Sequence, residues 1–316
     1  MKTPDFWSKS GVLSAVLQPL GKLYATATAM RLKNHTPYKA KCPVICIGNL
    51  TAGGTGKTPV SLAIAEILHQ AGKNPYFISR GYGGKLKNIV VDGLIHTPQQ
   101  VGDEPLLLSK AAPTVINPDR GEAAKTAMAH GADCLVMDDG FQNPTLHKDI
   151  SFLVFDGNYG IGNGRVIPAG PLREPFNTGI KRAQAIIVLG DDKQHIASKT
   201  NLPVFYGKIE EEQPQINNHD IMAFAGIGHP EKFYASLKKC GFNLKKTFNY
   251  PDHHFYTVAE LNSLVNYAQK NSLDIYTTSK DFIKIPPALQ TEFRVLNIKI
   301  KWQNEPKLQK FLLKLF

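Results

Sequence analysis

Apolar and polar positions along this chain fall into blocks that switch repeatedly between a strand-like run and a helical period. The first clear block, Val44-Ile45-Cys46-Ile47, is a continuous apolar run with the length of a buried strand. A glycine-bearing stretch follows, then a helical pattern over about 57–71 that Gly72 ends. Short apolar runs recur at 75–79, 89–91, 114–116, 132–137, 150–155 and 185–189. Between them, 102–111 and 119–130 have helical spacing, the second opened by Asp119. This β-α-β rhythm predicts an α/β fold with a mostly parallel sheet and helices on both faces.

Around 200–218 the composition turns polar (Glu210, Glu211, Glu212, Gln213, Asn217, Asn218), as a domain boundary would. The rhythm then resumes with strand 220–225, helix 230–240, strand 244–249, helix 257–269, and strands at 274–277 and 293–300. A last helix, 305–315, carries Leu308, Phe311, Leu312 and Leu315 on one face. The predicted division is an N-terminal segment 1–41, a core domain 42–203, and a linker with a smaller C-terminal α/β domain over 204–316. Residues 157–182, rich in glycine and proline and carrying Arg165, Arg173, Lys181 and Arg182, follow neither period. A loop this long inside a compact domain is expected to be either functional or disordered.

Charge changes the picture at the N-terminus. The chain carries 37 Lys+Arg against 26 Asp+Glu, a net +11, which favours an anionic partner. Residues 1–41 hold seven of the basic residues (Lys2, Lys9, Lys22, Arg31, Lys33, Lys39, Lys41) and one acid, Asp5. Leu13, Val16, Leu17, Leu20, Tyr24 and Ala27 share a helical face there, behind Phe6 and Trp7. This profile fits a helix on an anionic membrane surface and equally a helix packed on its own domain. Pro19 should kink or divide it. No apolar run reaches the length of a membrane span, and no signal-peptide pattern is visible. Cys42, Cys46, Cys134 and Cys240 form no paired spacing, so neither a disulfide framework nor a zinc site is expected and a reducing cytosolic compartment fits.

The candidate chemistry begins where the first strand ends. Thr51-Ala52-Gly53-Gly54-Thr55-Gly56-Lys57-Thr58 nearly meets the P-loop pattern G-x-x-x-x-G-K-[ST], with threonine where the first glycine is usual. The glycines let backbone N–H groups close around a phosphate, and the following helix adds its positive dipole end. Lys57 would reach the β- and γ-phosphates of a nucleotide, and Thr58 would sit on Mg²⁺. The fold is therefore expected to be P-loop NTPase-like. Asp138-Asp139 follow the apolar run Cys134-Leu135-Val136-Met137, where a P-loop enzyme holds its Mg²⁺ directly or through water; either aspartate suits. The plainer alternative is a pair of acids capping a turn at Gly140. From spacing alone, Asp103-Glu104 read as acids in the first turn of a helix, and Asp252-His253-His254 is too little to assign as a metal site. Arg80 and Arg173 sit in loops where phosphate contacts are plausible.

Taken together and in order, NLTAGGTGKTP (49–59), SRGYG (79–83), VGDEP (101–105), DDGFQ (138–142), GNGRVIPAGPLREP (162–175), PDHH (251–254) and TTSKD (277–281) resemble the tetraacyldisaccharide 4'-kinase family. Asn143 departs from it, since the family usually has histidine after DDGFQ. The resemblance implies an ATP- and Mg²⁺-dependent lipid kinase that phosphorylates the 4'-hydroxyl of tetraacyldisaccharide 1-phosphate to give lipid IVA, on the cytoplasmic face of a Gram-negative inner membrane. It implies a P-loop core and a smaller domain joined by a β-ribbon, with the active site in the cleft. Carried over by position, Lys57 and Thr58 bind phosphates and Mg²⁺, Glu104, Asp138 and Asp139 belong to the metal environment, Asp103 is the catalytic carboxylate with His253 as its partner, and Arg173 stabilises transferred charge. The N-terminal segment would then dock the enzyme, as a peripheral protein, at the membrane that holds its lipid substrate. No obligate protein partner is expected.

Other classes fit less well. A small-metabolite kinase needs neither the basic N-terminus nor the loop 157–182. A GTPase switch would carry [NT]-K-x-D, whereas Ser279-Lys280-Asp281 has no spacer, and a partner-sensing ATPase would carry lysine at position 52, which is alanine. Nucleic-acid binding rests on net charge alone, without a supporting module.

Overall fold

The computed structural model describes residues 4–212 and 219–316. Lys2 and part of the polar boundary, 213–218, lie outside them. After a 3₁₀ turn at Asp5–Trp7 come α1 (Val12–Val16) and α2 (Gln18–Lys33), then β1 (Val44–Gly48), α3 (Lys57–Gln70), β2 (Pro75–Ser79), β3 (Ile89–Val91), α4 (Pro98–Val101), α5 (Asp103–Leu108), β4 (Thr114–Ile116), α6 (Arg120–Ala129), β5 (Cys134–Asp138) and β6 (Ile150–Asp156). The loop 157–182 ends in the short α7 (Phe176–Gly179) and leads to β7 (Ala185–Leu189) and β8 (Val204–Glu211). The second unit contains β9 (His219–Ala225), α8 (Pro230–Lys239), β10 (Phe242–Asn249), α9 (Val258–Asn271), β11 (Asp274–Thr277), α10 (Ser279–Phe282) and β12 (Phe293–Val295). The chain closes with β13 (Ile298–Trp302) and α11 (Glu305–Leu312).

The large sheet has nine strands in the order β13-β8-β7-β6-β1-β5-β2-β4-β3. It is parallel except at its rims, where β3 runs antiparallel to β4 and β13 to β8. Its two faces are buried differently. Ile45 and Ile47 of β1 pack with Val60, Ile64 and Leu68 of α3 and with Leu308 and Leu312 of α11. Val44 and Cys46 point the other way, among Ala123, Ala124 and Ala127 of α6. Alternation along one strand thus feeds two cores, as a sheet covered on both faces requires. The smaller sheet, β10-β9-β11-β12, is wholly parallel. Ile221 and Ala223 of β9 pack with Phe233 and Leu237 of α8, and Met222 and Phe224 with Leu261 and Leu264 of α9.

Two expectations change. The single strand at 293–300 is two strands in different sheets: β12 pairs with β11, and β13 crosses to pair with β8. Residues 204–211 and 298–316 consequently pack with the large sheet, and the smaller sheet is built from strands within 219–295. The helix predicted over 102–111 runs over Asp103–Leu108 only, with Gly102 (φ +90°) at its N-cap, separating it from α4. At the N-terminus, Pro19 sits in the first turn of α2 and the helix divides at Leu17. The apolar face of this segment does not pack on the core. Val16 is 68% exposed and Leu20 54%, whereas the inward positions are Ser14, Gly21 and Thr28. Among the described residues, no helix is long and apolar enough to cross a membrane.

Candidate active site

The P-loop joins β1 to α3 at the carboxyl edge of the sheet, where parallel α/β sheets place their ligands. Gly53 (φ +113°) and Gly56 (φ +85°) occupy the left-handed region. A Cβ at Gly56 would lie 2.4 Å from Leu189 Cδ1, while one at Gly53 or Gly54 would meet nothing within 4 Å. The loop is thus closed behind and open in front. Thr51 is not among the positive-φ residues, so the glycine usual there is not needed. Instead Thr51 bridges antiparallel to Leu172, the Ala52 N–H donates to Pro171 O at 2.7 Å, and the Arg173 N–H to Leu50 O at 2.7 Å. Of the eight predicted nucleotide-binding positions, Thr51 and Ala52 therefore tie the P-loop to the 157–182 loop, and Gly53–Thr58 line the cleft. Asn49, which the motif reading left without a role, braces the loop: its buried Nδ2 donates to Thr51 O at 2.6 Å and Thr55 Oγ1 at 3.0 Å.

Because β5 neighbours β1 in register Ile47↔Asp138, the Asp138-Asp139 pair arrives beside the P-loop. The two acids differ. Asp138 is 5% exposed and accepts hydrogen bonds from Thr58 Oγ1 (3.1 Å) and Ser61 Oγ (2.7 Å). Burial pushes its carboxyl up to about 6 against those bonds and the charge of Lys57. Asp139, at φ +48°, meets Lys57 Nζ at 3.7 Å and Arg173 Nη1 and Nη2 at 2.9 and 3.3 Å. Burial raises its pKa, but Lys57 and Arg173 outweigh it and hold the carboxyl below the usual range. Behind Arg173, the buried Glu174 accepts from Arg182 Nη2 (2.6 Å) and Gln142 Nε2 (3.0 Å), and Gln142 also donates to Asn49 O (3.0 Å). The DDGFQ and GPLREP segments thus brace each other.

A second cluster faces this one across the cleft. Gly102 places Asp103 at the first turn of α5; a Cβ there would fall 2.5 Å from Tyr82 O. His253 comes from the turn between β10 and α9, at φ +61°. Its Nδ1 lies 2.9 Å from Asp103 Oδ2. Lys280 Nζ, from α10, is 3.3 Å from His253 Nε2 and 2.9 Å from Glu104 Oε1. An ammonium only donates, so Nε2 is the acceptor and Nδ1 carries the proton given to Asp103. Burial would raise the Asp103 pKa, but the His253 hydrogen bond and Lys280 lower it overall. The bond to Asp103 raises that of His253, against burial and the Lys280 charge. Asp103 is 2% exposed and His253 33%, so the histidine is the member of the pair that meets the cleft.

The four predicted metal ligands do not form one group. Thr58 touches Asp138, Asp139 holds two cations, and Glu104 pairs with Lys280. Among the described residues, the one set of three ligand-bearing side chains within 4.8 Å of one another is Asp103, Glu104 and His253. The charge of Glu104 also acts on Lys57, so Glu104 stands between the two clusters. His254 is structural: it stacks on Tyr250 at 4.8 Å and meets Glu260 Oε1 at 3.2 Å. Sequence reasoning assigned nothing to Lys280 or Ser61. Lys280 lay within a recognisable segment, and Ser61 stands on α3 one turn after Lys57.

Comparison with known proteins identifies the family and the fold. The family model LpxK, tetraacyldisaccharide-1-P 4'-kinase, matches residues 13–316. The tetraacyldisaccharide 4'-kinase of Paramagnetospirillum magneticum is 42% identical over 308 residues, covering 96% of this chain and 95% of that one. That of Gluconobacter oxydans is 42% identical over 326 residues, covering 99% and 98%. The crystal structure of "apo" form LpxK from Aquifex aeolicus in complex with ATP superposes with a TM-score of 0.79 at 28% identity, covering 96% of this chain and 100% of that one. The chain belongs to the tetraacyldisaccharide 4'-kinase family.

Proposed function

We propose that the chain is an ATP-dependent kinase that transfers the γ-phosphoryl group to the 4'-hydroxyl of tetraacyldisaccharide 1-phosphate. The observation that carries the catalytic reading is the 2.9 Å contact between Asp103 and His253, made across the cleft from the P-loop by residues of two different units. A sugar hydroxyl is a weak nucleophile, and the Asp103–His253 pair takes its proton as the new bond to phosphorus forms. Lys57 and Arg173 supply positive charge where phosphate oxygens develop negative charge. Both sit on Asp139, which holds them in place until phosphate oxygens take over. The open front of Gly53 and Gly54 fits the phosphate chain of ATP.

Asp138 fits a metal ion. It is a buried carboxylate that receives two hydroxyls, and among the described residues no lysine or arginine comes within ion-pair distance of it. Thr58 and Asp138 would hold Mg²⁺, which when bound neutralises charge between the β- and γ-phosphates. Asp139, already engaged by two cations, suits the outer position.

The lipid substrate places the work at a membrane surface, on the cytoplasmic face of the inner membrane. The outward apolar face of α1 and α2, beside Lys9, Lys22, Arg31 and Lys33, supports peripheral docking there. The test is transfer of labelled γ-phosphate from Mg-ATP to tetraacyldisaccharide 1-phosphate in detergent micelles, by wild type and Asp103→Ala. Transfer by wild type with near-complete loss in the variant is expected. Equal transfer by both would move the base elsewhere, and no transfer by folded, ATP-binding wild type would overturn the substrate.

A further inference from the structure

Three turns follow the carboxyl ends of β9, β10 and β11: 226–229, 250–257 and 278–281. This is the side on which His253 and Lys280 meet the core. One carboxylate that the reaction does not use, that of Asp281, joins all three. Asp281 is fully buried. Its Oδ2 accepts from the Gly226 N–H (3.0 Å) and the Thr278 hydroxyl (2.7 Å), and its Oδ1 from the Tyr256 hydroxyl (2.9 Å). Lys284 Nζ, equally buried, lies 2.8 Å from the same Oδ1 but makes no aligned hydrogen bond, so their contact is an ion pair by proximity.

The chain of contacts leads to the site. Gly226, held at its N–H by Asp281, offers its carbonyl to the backbone N–H of His253 at 3.2 Å. A Cβ at Gly226 would lie 2.9 Å from Tyr256 Oη and 3.1 Å from Asp281 Oδ1, so the turn has one seat. His253 needs such a hold, because a non-glycine residue at φ +61° stays there only when its surroundings impose it. On the other side, Asp281 N donates to Thr278 Oγ1 at 3.1 Å, which caps the short helix that presents Lys280. An apolar pair in place of a buried Asp–Lys pair generally holds a fold at least as well. What the carboxylate adds is direction.

We propose that Asp281 is a positioning residue for the reaction: it fixes the Gly226 turn, and through it the His253 backbone, so that Nδ1 meets Asp103, and it fixes the helix that aims Lys280. The inference rests on the reading of Asp103 and His253 as the base pair.

The test replaces both members of the buried ion pair together, so that no uncompensated charge remains. Asp281→Ala with Lys284→Met removes the acceptor for Gly226; Asp281→Asn with Lys284→Met keeps an acceptor and removes the charge. In protein shown to be folded at the assay temperature, the alanine pair should lower kcat by tenfold or more with KM for ATP unchanged, and the asparagine pair should recover kcat to within about threefold of wild type. A merely structural role predicts wild-type kcat for both, and that result overturns the proposal. Should the alanine pair not fold, Gly226→Ala shifts the turn while keeping both charges of the ion pair and should show the same kcat-selective loss; wild-type kcat there also overturns it. His253→Ala is assayed alongside. If it turns over like wild type, the base reading falls and this inference with it. If it is inactive while the alanine pair is fully active, only this inference falls.

Discussion

Replacing Asp138 by asparagine should stabilise the metal-free protein while removing its activity. The carboxylate is 5% exposed, and burial pushes it from an ordinary 3.8 up to about 6, against hydrogen bonds from Ser61 and Thr58 and the charge of Lys57. A group whose folded pKa lies above its unfolded value favours the fold only where it is protonated. Its contribution is complete below pH 3.8 and is lost as pH rises through about 6. The difference of about two pH units corresponds to about 3 kcal/mol weighing against the fold at pH 8. Asparagine keeps the volume, still accepts from the hydroxyls and carries no charge. In EDTA at pH 8 the variant should therefore be about 3 kcal/mol more stable, which for a chain of this length is about 4–5 °C in Tm. The advantage should shrink to roughly half at pH 5, where the wild-type carboxyl is mostly protonated. Mg-ATP should raise the wild-type Tm by linkage and raise that of the variant less. Thermal melts at pH 5 and 8, in EDTA and in Mg-ATP, measure all of this. The reasoning is refuted if Asp138→Asn melts at or below wild type at pH 8 in EDTA, or if the gap does not narrow at pH 5.

Deleting residues 1–28 should weaken binding to anionic vesicles, read by co-sedimentation, more than it weakens ATP binding; equal loss of both would mark a structural helix. Asn49→Ala removes the two hydrogen bonds that brace the P-loop and should raise KM for ATP about tenfold, roughly 1.4 kcal/mol, with an unchanged KM refuting the brace. Gly102→Ala puts a Cβ 2.5 Å from Tyr82 O at a φ of +90°; it should cost about 1–3 kcal/mol, lower kcat through Asp103, and be contradicted by a wild-type melt.

The sequence alone determined much of this protein, because several of its signals are local. A run of apolar residues ending in Gly-Lys-Thr, or in Asp-Asp, carries its own geometry: the strand must be buried, and its carboxyl end must face the ligand. The strand-helix rhythm likewise dictated a parallel sheet covered on both faces, and the ordered motifs carried the family. The tertiary structure decided the partners. From spacing alone Asp103 and Glu104 read as acids in the first turn of a helix; the fold brings His253 onto Asp103 from the turn after β10 and Lys280 onto Glu104 from α10. The stretch 293–300 looked like one strand because both halves have the strand period; which sheet each half joins depends on which edge is free, and periodicity does not encode that. The N-terminal helix had an apolar face legible in its spacing, but only packing showed that the face turns outward, because Ser14, Gly21 and Thr28 fit the close approach to the core and the larger side chains do not. Spacing along a chain sets period and strand ends. The partner of a charge depends on which elements the sheet order makes neighbours.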